Sequence, residues 1–389
     1  MMNANNNEQI YDLVRYAFNK PDTAARRQAF EWLSDHSYIY TKESNNHISS
    51  HVMATPFSFR LHDAIVKMAG IGYVATLPEY RGNGDIHHIF NEMFMDLHEK
   101  QVVVSFLAPF SQKFYRRLGY ENVCQRFKYH FNHQALAYLP KIKDGHYERV
   151  SFDEQCYNRL SDIYNSTLGL DNGSIQRESW WWRYKNMKIN NAYVVFYTYD
   201  QEESYMIYHI DHQNFYIDEV AYHNIHELIA LLNFASSHQM TVTDYYMEDA
   251  RQHIEMAFTD SIPLNITVQP YMMARIQEMQ LFLEAILSKL NVPTHQPCYL
   301  DIYDEQCPWN DGIWQLTAEG VQKFNRDDDN HTHHSQIHYR GNIQAFSQLF
   351  ISGYSMHQLH YNTENIITVR PHPSIEQWKQ DNIHLYDYF

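Results

Sequence analysis

No apolar run in the 389-residue sequence approaches the roughly eighteen residues that cross a bilayer as a helix. A membrane-spanning protein of that kind is therefore not expected. The opening residues, Met1-Met2-Asn3-Ala4-Asn5-Asn6-Asn7-Glu8-Gln9, carry neither a basic flank nor an apolar segment, so no secretory signal is expected either. Cysteine is scarce. Cys124, Cys156, Cys298 and Cys307 stand far apart, without Cys-x-x-Cys spacing. This argues against a disulfide frame or a zinc site and for free thiols in a reducing cytoplasm. Positive charge is also short: 30 Lys+Arg stand against 46 Asp+Glu, a net charge of −16. Such a surface repels phosphate backbones, which makes nucleic acid an unexpected partner and favours cationic ligands. No Gly-Lys-Ser/Thr is present to hold β- and γ-phosphates with magnesium, so the chain is not an ATP P-loop protein.

What is present reads as globular. Hydrophobic residues make up 44% and charged residues 20%, and the length predicts two or three domains. The most informative stretch is Val74-Ala75-Thr76-Leu77-Pro78-Glu79-Tyr80-Arg81-Gly82-Asn83-Gly84-Asp85-Ile86. An apolar strand-like run ends at Pro78, and a glycine-bearing turn follows. Ile86, Ile89, Phe90, Met93, Phe94 and Leu97 then fall at helical steps. Asn-Gly between apolar runs also signals a hairpin, but a hairpin requires alternation after Gly84, and the spacing there is helical. A strand, a glycine turn and a helix start form an anion cradle, because unpaired N–H groups and the positive helix end converge there.

The rest of the chain supports an α/β (α+β) fold. Helices are predicted over 8–19, with Ile10, Leu13, Val14 and Phe18 inward, and after Pro21, with Ala25, Phe30 and Leu33 inward. Two long strands follow over 47–61 and 63–77, then a strand over 101–108 and a short helix over 111–118 capped by Gly119. Strand–helix–strand of this length implies parallel pairing. A second α/β segment begins near His146. It has a helix over 153–168, then Trp180–Trp182, strands near 192–199, 204–211 and 215–221, and a helix over 225–237. Its order mimics the first segment, but no Arg-x-x-Gly-x-Gly turn recurs. A helix ends near Leu290. The last hundred residues alternate as a small α+β domain, with strands over 298–303, 312–317 and 336–339 and a helix over 343–351.

The cradle stretch resembles motif A of the Gcn5-related N-acetyltransferases (GNAT), whose core Gln/Arg-x-x-Gly-x-Gly/Ala falls on Arg81 to Ile86. Together with Ala108-Pro109-Phe110, Phe114-Tyr115-Arg116-Arg117-Leu118-Gly119-Tyr120, Tyr271-Met272-Met273-Ala274-Arg275-Ile276 and Ile351-Ser352-Gly353-Tyr354, it is similar to the enhanced-intracellular-survival (Eis) branch of that superfamily. The resemblance spans nearly the whole chain. It implies an acetyltransferase domain over 1–143, a second, degenerate GNAT-like domain over 144–290, and a sterol-carrier-protein-like domain over 291–389. It further implies acetyl-CoA as cofactor, an amine acceptor (small molecule or lysine) and a homohexamer. Coenzyme contacts carry over to Val74, Ala75 and Thr76, and to Arg81, Gly82, Asn83, Gly84, Asp85, Ile86 and His87. The general acid falls on Tyr115, and the general base on the carboxylate of Phe389. Two positions depart from the pattern. Ile86 replaces a small residue. Asp85 adds a negative charge that suits a helix start but repels a pyrophosphate if it points inward.

Amide formation from a thioester needs a neutral amine, a polarised carbonyl and a proton for the departing sulfur. Strand N–H groups at Val74–Thr76 can polarise the carbonyl, a tyrosine can supply the proton, and a buried carboxylate can take one. The aromatic tail Leu385, Tyr386, Tyr388 and Phe389 favours a docked end over a frayed one. Trp32 and Trp180–Trp182 read as core or interface rather than pocket wall. His331, His333, His334 and His338 read as a polar loop running into a strand rather than a metal site. A second class of function fits the same residues: a non-catalytic small-molecule binder or assembly protein that keeps a relict acetyltransferase fold.

Overall fold

The computed structural model describes every residue except 1–3, 190, 252–253, 260–263, 327–333, 357, 360–365 and 379–381. The chain forms two compact units. The first gathers Met1–Cys124, Tyr271–Ile383 and Tyr388–Phe389. The second gathers Gln125–Pro270 and His384–Asp387. Among the described residues no helix is long and apolar enough to cross a membrane.

The first unit opens with α1 (Ala4–Ala17) and α2 (Ala24–Asp35). Ile10, Leu13 and Val14 are buried as their spacing predicts, whereas Phe18 lies beyond the helix end and is half exposed. In α2 Phe30 and Leu33 are buried with Ala29. Ala25, expected inward, is exposed, because residues 21–26 of this entry turn all lie in solvent. Strands β1 (Tyr38–Ser44), β2 (His47–Leu61) and β3 (Ala64–Thr76) form an antiparallel meander. Helix α3 (Asp85–Glu99) crosses to β4 (Val104–Leu107), which pairs parallel to β3 over Met68–Ile71, as predicted. The α3 stripe Ile89, Phe90, Met93, Phe94 and Leu97 is buried against Val52, Ala54, Ala69 and Ile71. Each such side chain contributes about 2 kcal/mol by leaving water. Helix α4 (Gln112–Arg116) follows, capped by the Ser111 hydroxyl, which accepts from the Phe114 N–H. Gly119 closes it with φ +87°. A Cβ there would lie 1.8 Å from the Arg275 guanidinium, so only glycine fits.

Strand β5 (Glu121–Asn132) leads into the second unit, which continues with α5 (His133–Leu136), β6 (His146–Ser151), α6 (Tyr157–Ser166), α7 (Ser179–Lys188), β7 (Tyr193–Tyr199), β8 (Glu202–Asp211), β9 (Asn214–Ala221), α8 (Ile225–Ser236) and β10 (Asp244–Asp249). The strand order is β5-β10-β9-β8-β7-β6. Among the described residues of this unit only β9 and β10 pair parallel, over Asn214–Ile217 with Asp244–Met247. The β9–α8–β10 crossover thus repeats β3–α3–β4. Trp181 and Trp182 are buried in α7, which fits the core reading. Strands β1, β5, β6 and β10 lie outside the segments predicted as strands, although β5 places Phe127, Tyr129 and Phe131 inward by alternation.

The first unit resumes along β11 (Asn265–Ile276), whose Met273–Ile276 pairs antiparallel to β4. After α9 (Met279–Leu290) come β12 (Cys298–Tyr303), β13 (Gly312–Leu316), β14 (Val321–Phe324), β15 (Tyr339–Asn342), α10 (Ile343–Ile351), β16 (Ile366–Thr368) and α11 (Pro373–Glu376). Their sheet runs β14-β13-β12-β15-β16. The strand predicted over 336–339 begins only at Tyr339, because residues 334–336 form a 3₁₀ turn. Of the histidine cluster, His331 and His333 lie outside the described residues. His338 is buried and accepts the Tyr299 N–H at Nδ1, 3.1 Å away.

One buried group ties the fold to pH. His51 on β2 donates from Nδ1 to the Tyr73 carbonyl at 3.0 Å, at the bulge where pairing skips from His51 to Met53 and Tyr73 takes φ +51°. Burial lowers its pKa to about 4, with the bond to Tyr73 acting in the opposite sense. An unfolded histidine titrates near 6.5. The stabilisation is therefore complete above about pH 6.5 and is lost as pH falls toward 4, since the unfolded chain takes up the proton first. The expected loss over that window is about 3 kcal/mol. Urea unfolding at pH 7 and pH 4 should show it in the parent and not in His51→Gln. An equal slope in both assigns the pH dependence elsewhere.

Candidate active site

Beyond Ile71 and Leu107 the parallel pairing of β3 and β4 ends, while β3 continues to Thr76. From there residues 74–76 run on beyond the end of β4. A cavity of about 1250 Å³ opens beside them. Val74, Ala75 and Thr76 line it, as do Arg81, Gly82, Gly84, Asp85, Ile86 and His87. Of the predicted coenzyme residues, only Asn83 is not in the wall.

The cradle follows from local backbone chemistry. Gly82 and Gly84 have φ of +89° and +83°, a region that penalises any side chain. Gly84 is the N-cap of α3 and has no side chain to satisfy the first N–H groups. Those donors remain free for an anion. Arg81 Nε donates to the Thr76 carbonyl at 3.4 Å, which keeps its charge beside the strand. Asp85 does not stand alone in the cradle. The Ser49 and Ser50 hydroxyls from β2 lie 3.3 and 3.5 Å from its Oδ2 and draw the carboxylate toward the sheet.

The opposite wall comes from Phe110, Phe114, Arg117, Leu118 and Gly119 around α4, and from Arg275, Tyr303–Gln306 and Asn342–Gln344. The last two segments belong to the C-terminal region, and no motif in the sequence points to them. Arg275 is fully buried. It makes two bonds to Asp304, at 2.8 and 2.7 Å, and one to the Leu118 carbonyl at 2.8 Å.

Tyr115 belongs to the apolar core beside this wall, with Phe90, Phe110 and Phe114 around its ring. Burial pushes its phenol well above the ordinary value, and Tyr120 and Tyr388 add to the shift. The proton is held firmly at neutral pH. Tyr388 is thus a close electrostatic neighbour of Tyr115. The next residue, Phe389, is buried with its ring 5.6 Å from that of Phe57. A Cβ on Gly70 would lie 2.6 Å from that ring, and a Cβ on Gly72 would lie 3.2 and 3.3 Å from the Phe389 carbonyl carbon and oxygen. The two glycines share one face of β3 and therefore seat the tail there, with the Phe389 carbonyl group over Gly72. The sequence signal for this was available: glycine within an apolar strand marks close approach by another group.

The second unit repeats the crossover without a cradle. Asn224 Oδ1 accepts from the Glu227 N–H at 3.2 Å, and Glu227 Oε2 accepts from the His223 N–H at 2.8 Å. The start of α8 thus carries a side-chain cap, which Gly84 cannot supply at α3.

Residues 2–123 match an Acetyltransferase (GNAT) domain, residues 173–276 match a second one, and residues 283–364 match a Sterol carrier protein domain. A conserved protein of unknown function from Enterococcus faecalis V583, described as a probable N-acyltransferase, is 31% identical. The match covers 100% of this chain and 98% of that one, with a TM-score of 0.85. The fold is also shared with a GCN5-related N-acetyltransferase from Anabaena variabilis (15% identical, 100% and 98% covered, TM-score 0.82) and with Eis1 from Mycobacterium abscessus (15%, 100% and 99%, 0.77). No curated protein matches the sequence.

Two glycine substitutions separate the roles of the site's glycines. Gly70→Ala drives a methyl into the Phe389 ring, and an unfolding titration should show a loss of about 1–3 kcal/mol. Gly82→Ala meets open space and should lose only about 1 kcal/mol, from backbone strain. Equal effects contradict the seating of the tail on Gly70.

Proposed function

The chain belongs to the GNAT acetyltransferase family, and from that premise we propose that it is an acetyl-CoA-dependent N-acetyltransferase acting on a primary amine of a cationic acceptor. The observation that carries this reading is a convergence. Residues 74–76 of β3 and the helix start at Gly84 line one cavity, and the Phe389 carbonyl group lies against Gly72, two residues earlier on the same strand. The tandem GNAT domains and sterol-carrier-like domain make the protein an acyltransferase of known architecture.

Acetyl-CoA supplies an acyl group activated as a thioester. The Gly82–His87 turn, with its open donors and Arg81 nearby, suits a pyrophosphate. N–H groups at Val74–Thr76 suit the carbonyl oxygen, where negative charge grows as the amine attacks. The Phe389 carboxylate takes a proton from the attacking amine, and Tyr115 gives one to the sulfur as the C–S bond breaks. Burial makes the Tyr115 phenol a weak acid, and it equally raises the basicity of a thiolate leaving into desolvated space, which keeps proton transfer from phenol to sulfur within reach. The net charge of −16 favours a cationic acceptor such as a polyamine, an aminoglycoside-like molecule or a lysine side chain. Membership of the Eis-like branch, assembly as a homohexamer and a cytoplasmic setting belong to the same reading.

The test is acetyl-CoA turnover over a panel of amines. Tyr115→Phe, and separately deletion of Phe389, should lower kcat by about 100-fold while acetyl-CoA still binds by calorimetry. If both variants turn over at the parental rate, the acid and base are wrongly assigned.

A further inference from the structure

The second unit holds a buried ionic cluster that the chemistry above does not use. Asp387 is fully buried. Its Oδ2 accepts from Arg177 Nε at 3.1 Å. Its Oδ1 accepts from Trp181 Nε1 at 2.7 Å and lies 3.0 Å from Arg177 Nη2 and 3.4 Å from Lys185 Nζ. Arg177 also makes two 2.7 Å bonds to Glu219, and Lys185 a third at 3.0 Å. Two cations thus face two anions, and one anion comes from the tail. The flanking tail residues are held by their backbone. The His384 N–H donates to the Asn172 carbonyl at 2.7 Å, and Arg126 donates to the Leu385 and Tyr386 carbonyls at 3.4 Å.

The location matters as much as the bonds. β9 and β10 stop pairing after Ile217 and Met247, as β3 and β4 do after Ile71 and Leu107. The opening that results is a cavity of about 410 Å³ between residues 216–220 and 246–249, and Tyr386 of the tail forms part of its wall. The Asn224 side chain caps the Glu227 N–H, and the buried Glu227 carboxylate stands at the helix start, where it disfavours a second anion. Removing the tail would leave the fully buried Arg177 with Glu219 as its remaining ion-pair partner, shared with the half-buried Lys185, and a buried cation that loses a partner is strongly destabilised.

We propose that the second unit takes the chain's own tail, residues 384–387, as its ligand in place of a coenzyme, and that Asp387 is a positioning residue that fixes Phe389 two residues further along the chain. The kinetic part of this proposal rests on Phe389 acting as the base.

The test uses the 389-residue chain and two variants. Asp387→Asn removes the charge and keeps the shape. Trp181→Phe removes one donor, leaves the ion pairs and serves if the first does not fold. Carboxypeptidase A should release Phe389 from the folded variants at least about tenfold faster than from the parent. In the same variants kcat should fall about tenfold, with the acetyl-CoA KM changed less than about twofold. Equilibrium dialysis of the parent should find one acetyl-CoA per chain. Release at the parental rate in a folded variant, or two acetyl-CoA per chain, overturns the proposal. Faster release with unchanged kcat supports the anchor and counts against Phe389 as the base.

Discussion

The parting of β3 from β4 is the constraint on which the site depends. Two parallel strands stay together only as far as Ile71 and Leu107. Past that point β3 runs on beside its antiparallel partner β2, and its residues 74–76 line the cavity. The bulge at Tyr73 sets the twist of that segment, and His51, neutral and buried, holds the Tyr73 carbonyl in place. Bulges re-aim a strand at the cost of local pairing. Here the re-aimed segment meets the N-terminus of α3, the side of α4 and the C-terminal tail.

The second unit shows what the same crossover becomes under different local chemistry. Glycine at the start of α3 offers no side-chain cap, whereas asparagine caps the start of α8 and a glutamate carboxylate stands beside it. A buried four-charge cluster stands near the divergence of β9 and β10. Ion pairs of this kind recover little net stability, because desolvation offsets most of the attraction. Such a cluster is better understood as specifying one position for the tail than as strengthening the fold.

Much of the first unit was legible in the sequence because it rests on local signals. The steps from Ile86 to Leu97 fix the buried face of α3, and the Arg81–Gly84 turn fixes where it begins. Gly119, with its left-handed φ, closes α4 as its position suggests. What escaped depends on contacts distant in sequence. Tyr303–Gln306 and Asn342–Gln344 line the cavity with no motif to announce them. Ser49 and Ser50 take up the Asp85 carboxylate, whose direction the sequence leaves open. Gly70 and Gly72 look like ordinary strand residues until the tail is seen against them. Ala25 and Gln336 were misread because helical and strand periodicity carry no information about where an element first meets its neighbours.

The central claim is that the carboxylate of Phe389, seated against Gly72, removes the proton from the acceptor amine. Adding a single glycine after Phe389 converts that carboxylate to an amide while keeping the aromatic ring that packs on Gly70. Steady-state turnover of the extended chain is the most direct measurement. The account predicts a fall in kcat of at least about 100-fold with acetyl-CoA affinity retained. Turnover at the parental rate would contradict it.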